Sequence, residues 1–293
     1  QAISIAIDYE EYISIFANGR GISAQGPIPP GIFGYEEGKA GINPYVYEWK
    51  NNTPQRKSIA LAKQLLAEAG YPNGRDEETG KPLILNLDVT GSDPSAKTRF
   101  DWMRKQFQKL DIQLVIRNTD YNRFQEKMRK GKAQIFQWGW NADYPDPENF
   151  LFLLYGPHGK VESGGSNAAN YQNAEFDKLF EDVRVMDNGQ PRQVIIEKMI
   201  SILREDAPWV WGYHPKDFIL THMWNKNIKP NLMANNTLKY RRVDADLRRQ
   251  MQHQWNKPIF WPFFMIMIIV LLVLMPAIFM YRSKNHAKIS VEK

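Results

Sequence analysis

Residues 83–138 read LILNLDVTGSDPSAKTRFDWMRKQFQKLDIQLVIRNTDYNRFQEKMRKGKAQIFQW, and this stretch decides the fold class. Three short apolar runs, Leu83–Val89, Ile112–Ile116 and Ala133–Trp138, have the length and β-branched content of buried strands. Between them lie two helical stretches. Asp93 or Ser95 can cap the first, which runs to about Leu110, and Asp120 opens the second, through FQEKMRK. Strand, helix, strand, helix, strand is the pattern of a parallel sheet with right-handed crossovers, so an α/β fold is expected.

Toward the N-terminus, Ile3, Ile5, Ala6, Tyr9, Ile13 and Phe16 support one amphipathic helix ended by Gly19 and Gly21. The chain opens on that helix with no capping residue before it. The expectation is therefore that the sequence starts inside an element of a longer protein, with any targeting signal lying upstream. Residues 22–53 are rich in glycine and proline and read as an irregular excursion. Thr53 as cap and Pro54 as first residue predict a helix through SIALAKQLLAEA that stops at Gly70. Beyond residue 138, helices are expected over Glu148–Leu154, Ala174–Val185 and about Pro191–Glu205. Short strands are expected at Trp209–Tyr213, Phe218–Thr221 and Leu238–Val243.

The composition fits a folded chain of one large or two ordinary domains: 293 residues, 43% hydrophobic and 24% charged. Cysteine is absent, which removes disulfides and thiolate chemistry. Half of the net charge of +6 sits in the last twelve residues, where Arg282, Lys284, Lys288 and Lys293 face only Glu292. The small excess left on the body argues against nucleic acid as a partner.

Ile259–Met280 is a run of 22 residues without a charge. At ~1.5 Å per residue such a helix crosses a ~30 Å hydrocarbon core. Trp261 and Tyr281 suit its two interfaces, and Pro276 is expected to kink it. The competing reading is a buried core helix.

The richest chemistry follows the third strand, in Trp138-Gly139-Trp140-Asn141-Ala142-Asp143-Tyr144-Pro145-Asp146-Pro147. Ligands of open α/β sheets are held at the carboxyl ends of the strands. Two indoles, a phenol and two carboxylates there can stack on flat groups and bind a cation. A second reading is open: the tryptophans fill core and the aspartates cap the next helix, a role that suits Asp146 before Pro147. Gly164-Gly165-Ser166-Asn167 allows close backbone approach to a ligand, or is a loop leading to an Asn173 cap. Catalytic chemistry finds little support. His158, His214, His222, His253 and His286 show no metal-ligand spacing, and no nucleophile elbow or phosphate loop is present. No catalytic residue, metal or cofactor is expected.

At WGWNADYPDPENFL the chain resembles the C-terminal half of the family-5 extracytoplasmic solute-binding proteins of peptide ABC transporters. QAISIAID with Glu10 is similar to the family's R-x-A-I-x-x-A-I-D-R-E helix without its leading arginine. Gly26-Pro27-Ile28-Pro29-Pro30 resembles G-P-x-P-P, and AKQLLAEAGYPNG resembles A-x-x-L-L-x-E-A-G-Y-x-x-G. Trp140 to Tyr144 with Pro147, Phe150 and Leu151 resembles W-x-A-D-Y-x-x-P-x-x-F-L. Ser166–Asp177 resembles S-N-x-x-x-Y-x-N-x-x-F-D, and Glu205-Asp206-Ala207-Pro208 resembles E-D-A-P. The resemblance covers about residues 1–245.

It implies a periplasmic-binding-protein-like bilobed fold of type II that closes on a hinge. One α/β ligand-binding lobe would occupy residues 1–206, with strands returning to a mostly missing second lobe at 207–247. A linker (248–257), a transmembrane helix (258–281) and a basic tail (282–293) would follow. The family implies that Asp143 pairs with a peptide's α-ammonium and that Trp140 lines a side-chain pocket. Trp138, which the family pattern does not license, and Tyr144, Asn141 and Asn167 complete the expected ligand set. Some members take nickel complexes, haem or sugars instead. The implied partners are ABC permease subunits with their ATPase. Most members are free in the periplasm or held by an N-terminal lipid, so a C-terminal span departs from the pattern. Six basic residues precede the span and four follow it, so charge does not orient it. The family role places the body on the periplasmic or extracellular side of the cell membrane, with the lipid bilayer as a further partner. The alternative is a sensory or scaffolding membrane protein without a transport role.

Overall fold

The computed structural model describes residues 1–91, 93–229 and 236–289. Within them, residues 1–218 form one compact unit, and residues 219–229 with 236–289 a second.

The chain begins with two helices where one is expected, Ala2–Ala6 (α1) and Tyr9–Phe16 (α2). The break is made by Asp8, whose Oδ1 accepts the Glu11 N–H at 2.9 Å and so caps α2. Strand Gly21–Ser23 (β1) and the short helix Gly38–Gly41 (α3) follow.

The expected helix start at Pro54 is wrong. Tyr47–Lys50 (β2) and Thr53–Arg56 (β3) pair as an antiparallel hairpin. Its turn residues, Asn51 and Asn52, have φ of 51° and 57°. Asparagine tolerates that left-handed geometry, which two-residue hairpin turns demand. The helix begins at Ile59 and runs to Glu68 (α4), with Ser58 Oγ accepting the Leu61 N–H. Gly70, at φ +88°, follows its end.

Arg56 locks the hairpin to α2. Its Nη2 donates to Glu10 Oε2 at 2.6 Å, while the Tyr47 hydroxyl donates to Glu10 Oε1 at 2.6 Å. Burial pushes the Glu10 carboxyl up, but the Arg56 charge and these hydrogen bonds outweigh it and hold the pKa at about 2. The folded value is depressed, so this group's contribution is full above its unfolded value of about 4.3 and is lost as pH falls through about 2. In urea titrations Glu10→Gln should lose about 1 kcal/mol or less at pH 7, because half the carboxylate faces water, and the gap should close near pH 2. A gap that widens on acidification would contradict this pairing.

The parallel sheet is present. Ile84–Val89 (β4) lies in the middle, flanked by Gln113–Asn118 (β5) and Ile135–Phe136 (β6). Ala96–Gln108 (α5) connects β4 to β5, and Tyr121–Arg129 (α6) connects β5 to β6. Asp120 Oδ1 caps α6 through the Arg123 N–H. The third strand is shorter than the apolar run AQIFQW because only Ile135 and Phe136 find ladder partners on β4. One core joins Ile5, Leu66, Leu87, Trp102, Phe107 and Ile112. Asp88, on β4, is fully buried and ion-paired with Lys127 of α6.

After β6 come Glu148–Leu151 (α7), Lys160–Ser163 (α8), Ala174–Val183 (α9) and Gln190–Asp206 (α10). The apolar faces of α7, α9 and α10 contribute to a second core around Leu151, Leu154, Phe176, Phe180, Ile196 and Leu203. Strand Tyr213–Pro215 (β7) then pairs antiparallel with β1. It starts where the expected strand Trp209–Tyr213 ends, and residues 218–221 form no strand.

In the second unit, Asn225–Lys226 (β8) pairs with Arg242–Val243 (β9), so only the end of the expected strand Leu238–Val243 is extended; residues 238–240 form a 3-10 turn. Ala245–Trp255 (α11) is helical, including most of the polar segment 248–257. Asp244 Oδ1 caps it through the Leu247 N–H at 3.1 Å. Trp224 is buried between His222, stacked at 4.1 Å, and Trp255 at 5.3 Å. Trp261–Ile289 (α12) follows, with Pro276 inside it. The 24 residues Trp261–Lys284 are long and apolar enough to cross a bilayer, and none of that stretch is buried, which is not how a core helix packs. The end of the basic tail, residues 290–293, lies outside the described residues.

Candidate ligand-binding site

The chain steps from β4 to one neighbour, β5, and then crosses to the other, β6. The loop leaving β6 therefore starts at the carboxyl end of the sheet beside a reversal of strand order, where open α/β sheets hold ligands. Its first residue is tied down, with the Gln137 N–H donating to the Asp88 carbonyl at 3.3 Å.

Trp138 and Trp140 do not fill core: they are 40% and 41% exposed, and Tyr144 is 44% exposed. Each indole nonetheless stands on an aromatic support. Trp138 meets Phe124 edge-on at 5.2 Å, and Trp140 meets Phe152 edge-on at 5.4 Å. The Lys160 ammonium lies 5.8 Å from the centroid of the Trp138 ring. The Tyr144 hydroxyl donates to Glu148. Asn141 and Asp143 are exposed, and the Asp143 carboxylate meets no cation among the described residues.

Two residues that the sequence reading missed hold this loop. Asn149, on α7, is buried, and its Oδ1 accepts both the Trp140 Nε1–H at 3.1 Å and the Asp143 backbone N–H at 2.9 Å. One amide oxygen thus fixes the indole and the backbone on either side of Asn141 and Ala142. Arg192, on α10, is 3% exposed and grips Asp146 with a two-pronged contact, 2.8 Å from Nη1 to Oδ2 and 2.8 Å from Nη2 to Oδ1. Asp146 Oδ1 also accepts the Glu148 N–H at 2.9 Å, so Asp146 is a structural cap and anchor. Burial pushes its carboxyl up, but the guanidinium and the N–H outweigh that and hold it below the usual carboxylate range. A signal for Arg192 was present in the sequence. It shares helical phase with buried Ile196, Met199 and Leu203, and a cation on an apolar face needs a buried anion.

Asn167 is a correction. Its side chain is fully buried, and the amide is spent on the backbone. Nδ2 donates to the Tyr155 and Tyr171 carbonyls at 3.1 and 2.8 Å, and Oδ1 accepts the Tyr171 N–H at 3.2 Å. It folds its own loop, and its side chain presents no exposed surface. The neighbouring Gly165 serves the same packing: a Cβ there would sit 2.4 Å from the His158 carbonyl oxygen. Asn173 caps α9 through the Glu175 and Phe176 N–H groups.

The loop is thus a firmly held wall carrying two half-exposed indoles, a phenol and an uncompensated carboxylate. That chemistry suits a ligand with a cationic group next to flat or apolar ones. Among the described residues no cluster of His, Asp or Glu is arranged to hold a metal ion.

Comparison with known proteins places this arrangement. Heme-binding protein A of Haemophilus influenzae is 30% identical over 218 residues, 74% of this chain and 36% of the relative. The periplasmic oligopeptide-binding protein OppA of Salmonella typhimurium is 26% identical over 242 residues, 78% of this chain and 41% of the relative. The periplasmic binding protein DppA of Helicobacter pylori, solved with the peptide STSA, superposes with a TM-score of 0.57 at 25% identity, over 73% of this chain and 36% of that one. The chain therefore spans about two fifths of the length of such relatives, which are binding proteins by name. Their fold class is the bilobed type II periplasmic binding protein. A family model described as bacterial extracellular solute-binding proteins, family 5, middle region, matches residues 1–161 of the 293, and the chain belongs to that family.

Proposed function

We propose that this chain is the ligand-binding part of a membrane-anchored solute-binding protein that captures peptides for an ABC importer. Asp143 receives the peptide's terminal ammonium, and Trp140, with Trp138 and Tyr144 beside it, bounds the space for side chains. The observation that carries this reading is the Asp143 carboxylate, held through its backbone by Asn149, set among exposed aromatic rings and meeting no cation among the described residues. Relatives named for peptides support the choice of ligand class. The chain's α12 anchors the body to the cell membrane, with the site on the periplasmic or extracellular side. There it raises the receptor's effective concentration beside its permease and ATPase partners. Domain closure over the loop excludes bulk water and strengthens the ion pair.

Asp143→Ala should weaken peptide binding by about 2 kcal/mol, or about 30-fold, the low end for a desolvated pair because this carboxylate starts out hydrated. Titration calorimetry of wild type, Asp143→Ala and Asp143→Asn checks it. Both variants should lose affinity while keeping the wild-type urea midpoint. Unchanged affinity would remove Asp143 from the site.

A further inference from the structure

We propose that residues 239–257, which lead into α12, are a docking surface for an anionic phospholipid bilayer. This rests on the reading that α12 spans a membrane. The segment carries Lys239, Arg241, Arg242, Arg248, Arg249 and Lys257 against two acids, Asp244 and Asp246. Both acids are already engaged. Asp244 caps α11, and Asp246 Oδ1 receives Arg249 Nη2 at 2.5 Å. The other five basic side chains are exposed and meet no carboxylate among the described residues. Arg241 Nη2 donates to Thr237 Oγ1 at 3.2 Å and the Lys239 ammonium lies 4.9 Å from the Tyr240 ring centroid, but neither contact supplies a counter-charge.

Apolar and aromatic side chains are interleaved with these cations. Leu238, Tyr240 and Trp255 are each more than half exposed, as are Ile259, Phe260 and Trp261 beyond them. Cations alternating with exposed aromatic rings match the boundary between headgroups and acyl chains, where indoles settle and phosphates attract arginine. Placement is enforced by the chain itself. Five residues, 256–260, separate the end of α11 from the start of α12, a reach of at most about 20 Å. A basic segment so tethered to a membrane helix stays near the zone where a charged lipid surface acts, which falls off over about 10 Å. The packing of Trp255 against Trp224 and His222 braces α11, so the surface is presented as a folded unit.

The test uses the whole chain in lipid nanodiscs of phosphatidylcholine alone and of phosphatidylcholine with about one third phosphatidylglycerol. Hydrogen exchange of the amides of α11 should be at least about tenfold slower in the anionic discs. The difference should vanish in about 0.5 M salt and in a variant combining Arg241→Gln, Arg242→Gln, Arg248→Gln and Arg249→Gln. Exchange in β4 should not change between discs. An embedded chain with equal α11 exchange in both discs overturns the docking surface and leaves the span intact. Protection that survives in the four-fold variant overturns it as well, because a contact with protein or neutral lipid would then be responsible. A chain released by alkaline carbonate overturns the spanning reading and the docking surface together.

Discussion

Asp146→Ala should cost about 3–5 kcal/mol of stability, far more than the 0.5–2 kcal/mol expected for loss of a helix cap alone. The excess comes from Arg192. Its guanidinium is almost fully buried, and without Asp146 its two terminal nitrogens keep, among the described residues, only the Asn188 Oδ1 contact at 2.6 Å. The Nε–H still reaches the Val183 carbonyl, which satisfies a hydrogen bond but does not neutralise the charge. A double variant, Asp146→Ala with Arg192→Leu, should recover most of the loss, since position 192 continues the apolar line of Ile196, Met199 and Leu203. Urea unfolding of both single variants and the double gives the coupling directly. Additive losses would show that the two residues do not act as a pair. The same variants should loosen the Trp138–Pro147 loop, so ligand affinity should fall with Asp146→Ala although Asp146 touches no ligand.

Lys127→Met should be about as damaging, at about 3–5 kcal/mol near neutral pH, for the opposite reason: it strands an anion. Asp88 is fully buried on the central strand, its Oδ1 paired with Lys127, and its Oδ2 meets no donor among the described residues. The aliphatic stem of methionine replaces most of the lysine packing, so the loss isolates the charge. Asp88→Leu should cost less, because the Lys127 ammonium is partly exposed and can turn to water. Thermal unfolding of the two variants at neutral pH checks the order. An Asp88→Leu protein less stable than Lys127→Met would contradict the account. Either result bears on the site, because α6 also supplies Phe124, the platform under Trp138.

The sheet was legible because its signals are local. Asp120 caps its helix, and the apolar runs around Leu87 and Leu114 have strand length and pair as expected. Residues 47–56 were not legible, because Thr53-Pro54 is an equally good helix opening and the deciding pair, Asn51-Asn52, signals a turn only once both take positive φ. The site loop was found from its residue types. What holds it comes from elsewhere in the chain: Arg192 is 46 residues from Asp146. Asn167 was misread because small residues permit close approach to anything, and here the neighbour is the backbone of His158.

The central claim is that Asp143 waits for a ligand's positive charge. Calorimetry of the wild-type chain with a short peptide and with its N-acetylated form tests it most directly. The free amine should bind at least about tenfold more tightly, with the advantage shrinking as salt rises. Equal affinities for the two forms would contradict the assignment.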